Sequence, residues 1–142
     1  MKIKLNYLVP FLAVLIAGCT KNVQQQPVQL PTGTFAGQFL RVHVNTTTLK
    51  YDTVKANLQL SLSATTGFKV TGDTTLHAGS YGSYAVNAYY MQFNDQTINT
   101  PSLSTKYHLN GVYQYEYNGS QLDIVASYSD TLSYQYILTK SN

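Results

Sequence analysis

Between positions 54 and 62 apolar and polar residues alternate without a break: Val54, Ala56, Leu58, Leu60 and Leu62 are separated by Lys55, Asn57, Gln59 and Ser61. A period of two places the aliphatic set on one face of a β-strand and the polar set on the other, so the spacing predicts a half-buried strand. Phe35, Phe39 and Arg41 alternate in the same way with Ala36, Gln38, Leu40 and Val42. Phe68 and Val70 follow a turn at Thr66-Gly67, and Tyr84, Val86, Ala88 and Tyr90 are read as one face of a further strand. The last third is the most regular. Tyr107, Leu109, Gly111, Tyr113, Tyr115 and Tyr117 share a face, and Asn118-Gly119 then supplies the positive φ angles of a two-residue type I′ hairpin. Leu122, Ile124 and Ala126 form the return strand, and a second turn at Ser129-Asp130 leads to Leu132, Tyr134, Tyr136 and Leu138.

These segments predict an all-β domain: an antiparallel meander of seven or eight strands, closed as an up-and-down barrel or, alternatively, folded as a two-layer β-sandwich. No helical pattern long enough for a βαβ crossover interrupts it. Phe35-Ala36-Gly37-Gln38-Phe39 and Leu109-Asn110-Gly111-Val112-Tyr113 echo each other, each with Gly two residues before an aromatic, which marks both as candidate strand bends.

The alternation is missing from the first 31 residues. Lys2 and Lys4 precede an apolar run from Leu5 to Ile16, and Ala17-Gly18 follow: the basic, apolar and small-residue parts of an export signal over residues 1–18. The apolar run, about 12 residues, is short of the roughly 20 that a membrane-spanning helix needs. Residues 19–31, with Gln24-Gln25-Gln26 and prolines at 27 and 31, show neither helical nor strand period and read as a flexible tether. The folded domain is expected over residues 32–142.

Leu15-Ile16-Ala17-Gly18-Cys19 resembles the lipobox of bacterial lipoproteins. The resemblance implies cleavage before Cys19, a diacylglycerol on its sulfur and a further acyl chain, such as palmitate, on its amine. The partner implied is therefore a membrane, engaged through acyl chains on Cys19. Thr20 rather than Asp after the cysteine favours the outer membrane of the cell envelope by the same resemblance. Cys19 is the single cysteine, so no internal disulfide can form.

Gly33-Thr34-Phe35 resembles the Gly-x-Trp opening of lipocalins and related calycin barrels, with Phe35 standing where Trp is usual. That resemblance implies a barrel with a cup for one small apolar ligand.

Composition narrows the function classes. Charged residues are 11% of the chain and aromatics 13%, with 13 Tyr and no Trp. The formal charge of +3 falls to near neutral once Lys2 and Lys4 are removed, and Arg41 is the single arginine, which excludes a phosphate-binding basic patch and with it nucleic acid. His43, His77 and His108 lie on separate segments without metal-ligand spacing, so neither a metal nor another cofactor is expected. Glu116 and Asp123 flank the Asn118-Gly119 turn as the one carboxylate pair that the sequence brings together. A glycosidase needs two carboxyl groups about 5–9.5 Å apart in a cleft, but solvated charges at a hairpin end are the favoured reading, and the protein is not expected to be an enzyme.

Tyr113, Tyr115 and Tyr117 are candidate ligand-binding residues, since Tyr offers a flat apolar face and a polar tip; filling the core of a Trp-free barrel is the favoured alternative. Consecutive Tyr positions also fit the interfacial girdle of an outer-membrane barrel, but not its midplane, so a water-facing domain is expected. Asp52-Thr53-Val54, Asp73-Thr74-Thr75 and Asp130-Thr131-Leu132 resemble the O-glycosylation motif that one large phylum of Gram-negative bacteria uses on exported proteins, which makes Thr53, Thr74 and Thr131 candidate acceptors. The favoured reading is that each Asp ends a turn and each Thr starts a strand. The functional expectation is a lipid-anchored, non-catalytic envelope module that binds a small apolar ligand or presents a surface; the alternative is an accessory subunit docking onto another envelope protein.

Overall fold

In a computed structural model of the chain, which describes residues 29–99, 101 and 105–141, the alternating segments form eight antiparallel strands. They are β1 (Gly33–Val44), β2 (Tyr51–Ser63), β3 (Gly67–Gly72), β4 (Tyr81–Val86), β5 (Tyr90–Asp95), β6 (Gly111–Tyr117), β7 (Gln121–Ser129) and β8 (Leu132–Lys140). Each pairs with its neighbour in sequence, and β1 also pairs with β8, from Phe35 opposite Lys140 to His43 opposite Leu132. The ladder therefore closes, and the two-layer sandwich is excluded. An eight-stranded up-and-down barrel is the architecture that the lipocalin resemblance implies.

The period of two decides what fills it. Ala56, Leu58, Leu60 and Leu62 of β2 point inward, as do Phe35 and Phe39 of β1, while Lys55, Asn57 and Gln59 face outward. Phe68 and Val70, Met91 and Phe93, Tyr113, Leu122 and Ile124, Tyr136 and Leu138 complete a single interior cluster. An apolar inside and a polar outside reverse the arrangement of a membrane-embedded barrel. Eight strands enclose a space just wide enough for side chains to fill, and here they fill it.

Connections at the two ends differ. At the near end, where β1 begins and β8 finishes, hairpins span only 64–66, 87–89 and 118–120. At the far end two longer segments, 73–80 and 96–110, cross between strands.

Four sequence expectations are corrected. The strand expected from Tyr107 begins only at Gly111, and Tyr107 bridges to His77 instead. Tyr84 to Tyr90 is not one strand, because the Asn87 side chain accepts the N–H groups of Tyr89 (2.9 Å) and Tyr90 (2.8 Å) and turns the chain between β4 and β5. At the β6–β7 hairpin only Gly119 has positive φ (98°), so Asn118-Gly119 is not a type I′ pair. Gly119-Ser120 is the centre instead, with Asn118 N–H bonded to Gln121 O and Asn118 Oδ1 accepting the Ser120 and Gln121 N–H groups. The last turn likewise centres on Asp130-Thr131 and not on Ser129-Asp130, because the ladder there is irregular between Ser127 and Ser129.

The echoed glycines serve different ends. A Cβ at Gly37 would collide with the Ile137 carbonyl across the β1–β8 seam, whereas Gly111 has open space but a φ of 103°. Gly119 carries a similar requirement, so Gly119→Val is expected to destabilise the domain by about 1–3 kcal/mol, the cost of forcing a β-branched residue into that region. An unchanged melting temperature in the variant would refute the turn geometry.

Candidate functional site

The three tyrosines of β6 all point inward, but they do not form a platform. Tyr113 is fully buried, edge-on to Phe93 (5.8 Å) and Tyr136 (5.9 Å), and its hydroxyl donates to Asn110 O at 3.2 Å and lies 3.3 Å from Tyr128 Oη. Burial pushes that phenol far above its ordinary pKa. Tyr117 packs edge-on to Phe35 at 5.8 Å and donates to Gly119 O at 2.8 Å. Tyr115, half-buried, donates to Asn87 O at 2.8 Å and is also raised by burial.

The other face of the same strand carries a groove. Tyr89, Tyr90, Gln114, Tyr115, Glu116, Asp123 and Val125 line it, on the outer wall of β5, β6 and β7. Register explains the grouping, since Tyr90 lies opposite Gln114, Gln114 opposite Val125, and Glu116 opposite Asp123. Tyr89 is 73% exposed and Tyr90 43%, because the Asn87 turn lifts both rings clear of the barrel. Asp123 Oδ2 accepts from Gln121 Nε2 at 2.8 Å, while Oδ1 is shielded from water and has no hydrogen-bond partner among the described residues. The sequence thus paired Glu116 with Asp123 correctly. It missed Tyr89 and Tyr90 as site residues, whose signal was the Asn87-Ala88 pair before two aromatics. Flat rings beside carboxylate and amide acceptors can hold a ligand with an apolar face and hydroxyl or ammonium donors.

A second constellation lies at the far end. His77 is fully buried; its Nδ1–H donates to Ala78 O (2.6 Å) and its Nε2 accepts from the Tyr136 hydroxyl (2.9 Å). Nearby, buried Asp95 accepts from Thr97 Oγ1 and N (both 2.7 Å) through Oδ1 and meets His108 Nδ1 at 2.6 Å through Oδ2. Burial alone would raise the Asp95 carboxyl, but Thr97, His108 and the nearby Ser80 hydroxyl outweigh it and hold the group below its ordinary value. Among the described residues no three His, Cys, Asp or Glu side chains converge as a metal site. His77 and Tyr136 are 59 positions apart, and no local pattern announced their contact.

Thr53 is exposed within β2, Thr74 is half-buried in the turn after Asp73, and Thr131 lies in the last turn with its hydroxyl 3.1 Å from Ser129 Oγ. Asp73 starts a turn there, where the sequence reading had it end one; Asp52 lies within β2 and Asp130 within a turn. Cys19, the export signal and the tether as far as residue 28 lie outside the described residues.

Comparison of the chain with known protein families, with curated proteins and with solved structures found no match.

Proposed function

We propose that this chain is a lipid-anchored lipoprotein of the bacterial cell envelope, held at the outer membrane through Cys19. Its barrel acts as a non-catalytic binding module that meets its ligand on the outer wall. The filled interior is the observation that favours this reading over carriage of an apolar molecule in a cup, because Phe39, Tyr113 and Tyr136 occupy the space such a molecule would need. Lipocalin kinship is retained only as an architectural proposal.

The groove fits a ligand of the saccharide kind. Tyr89 and Tyr90 offer rings for a sugar face, and Gln114, Glu116 and Asp123 offer acceptors for its hydroxyl groups. Residues 32–142 contain every strand of the closed ladder and are expected to stay in solution without detergent. Titrating this domain with neutral and amino-sugar oligosaccharides should shift the resonances of Tyr89 and Tyr90. Tyr90→Ala combined with Glu116→Gln should weaken binding about tenfold or more, since a stacked ring and a charged acceptor each contribute roughly 1 kcal/mol. Equal binding by the double variant, or no binding by the parent, would sink the proposal.

A second reading is favoured by the outer wall itself, where Val112 and Val125 stand exposed beside Tyr90 and Ile137 stands exposed further round on β8. An accessory subunit would dock onto another envelope protein through this face. A stoichiometric crosslinked partner, lost on substituting Val112 and Ile137 by Lys, distinguishes docking from ligand binding.

A further inference from the structure

The segment from Asp73 to Ser80 spans the far end of the barrel without belonging to its ladder, since β3 stops at Gly72 and β4 starts at Tyr81. Few bonds hold it. Ala78 N–H donates to Tyr107 O at 2.7 Å, Tyr107 N–H to Leu76 O at 3.0 Å, Lys106 Nζ to Thr74 O at 2.6 Å, and Val70 N–H to Ser80 O at 2.7 Å. What seats it is His77, whose ring enters the barrel mouth edge-on to Phe39 (4.9 Å) and Tyr136 (5.7 Å). Beneath that ring is a nest of aromatic side chains, with Phe39 against Tyr134 at 5.7 Å and Tyr136 at 5.1 Å.

We propose that residues 73–80 form an acid-released cover, in which protonation of His77 lifts the segment and opens the aromatic mouth while the eight-stranded ladder stays closed. Both ring nitrogens are committed in the neutral form, with Nδ1–H given to Ala78 O and Nε2 taking the Tyr136 hydrogen. A second N–H would face a hydroxyl that now has to accept, so the Tyr136 hydrogen would have to turn to the Tyr113 hydroxyl, which is itself engaged with Asn110 O and Tyr128. The positive charge would also lie on a fully buried ring. The surrounding titratable groups offer little relief. Tyr134 and Tyr136 on β8, Tyr113 on β6, Tyr128 on β7 and Tyr107 are neutral phenols, and Lys106, which ties the cover down through Thr74, is itself positive. Asp95 is the nearby carboxylate and favours a charge on His77, but its oxygens are already taken by Thr97 and His108, and His108 opposes that charge.

The sign follows from linkage. Burial, partly offset by the bond to Ala78, lowers the pKa of His77 from 6.5 to about 4 in the closed state. In the lifted state the ring is hydrated and titrates near its ordinary value. The open form therefore binds the proton more tightly, and the cover is fully held above about pH 6.5. Its opening constant rises about tenfold per unit as the pH falls from there towards 4, to a limit of roughly 300-fold.

Hydrogen exchange of the intact chain between pH 7.5 and 4, corrected for intrinsic rates, reads this directly. The amide of Ala78 is expected to lose protection with that slope, while those of Leu122 and Ile124 in β7 keep theirs. His77→Gln should abolish the slope at Ala78, whether or not the glutamine seats as well as histidine. Tyr136→Phe, which deprives the neutral ring of its donor, should lower protection at Ala78 already at pH 7.5 while the slope still begins near pH 6.5, where the hydrated ring titrates. Parallel loss of protection at Ala78 and in β7, or an unaltered slope in His77→Gln, would overturn the proposal.

Discussion

Phe39→Ala is expected to destabilise the domain by about 3–5 kcal/mol, the range for deleting a buried aromatic ring, out of a total of roughly 5–15. Phe39 is fully buried, and its ring lies within 6 Å of His77, Tyr107, Tyr134 and Tyr136, so all four lose their common contact at once. The barrel has no means of closing the gap. On the neighbouring strands Phe39 is opposite Ala56, a side chain too small to move in, and opposite Tyr136, whose hydroxyl is held by His77. The continuous ladder keeps the walls apart, which places the cost at the upper end of the range. Urea unfolding of residues 32–142 measures it, and a loss below about 1 kcal/mol would mean that the interior is not packed around this ring.

Cys19→Ala is expected to abolish fatty-acid incorporation and to release the protein from the membrane fraction as an unprocessed or soluble product. Leu15-Ile16-Ala17-Gly18-Cys19 presents the acceptor thiol, and Cys19 is the single cysteine of the sequence. Each buried methylene contributes about 0.8 kcal/mol, so losing two or more acyl chains removes nearly all of the membrane affinity that such chains supply. Labelling at the wild-type level in the variant would refute the lipobox reading. Intact mass of the wild-type protein from its host answers a further question, because mass beyond polypeptide and acyl chains would mark glycans at Thr53, Thr74 or Thr131.

The architecture was legible wherever one face of a strand is apolar and the other is not. β2, β7 and β8 follow the period of two and appear where it put them, because burial on one side only is what alternation encodes; β6 shares the period but starts at Gly111, not at Tyr107. β4 and β5 were blurred together because aromatic residues continue through the Asn87 turn, and a side-chain cap replaced the Gly or Pro that usually announces one. Closure itself was undecidable from periodicity, since a sandwich alternates equally well; the β1–β8 pairing decides it. At the site, Glu116 and Asp123 were found because hairpin partners are close in sequence. Tyr113 was placed correctly as a core residue by the polar character of its strand's other face. His77, Tyr136 and Asp95 were not found, because contacts between a far-end connection and the last strand leave no local trace.

Because the first strand of the ladder pairs with the last, Phe35 opposite Lys140, no shortened chain can close this barrel. A polypeptide delivered amino end first can pair β1 with β2 at once, but the other edge of β1 waits for roughly a hundred further residues, and such long-range closure is slow. During that wait β1 offers an unpaired edge carrying Phe35 and Phe39, which is a template for association with other unfinished chains. Lipidation of Cys19, upstream of every strand, would hold each waiting chain on its own patch of membrane, so the proposed anchor would also keep the half-made forms apart.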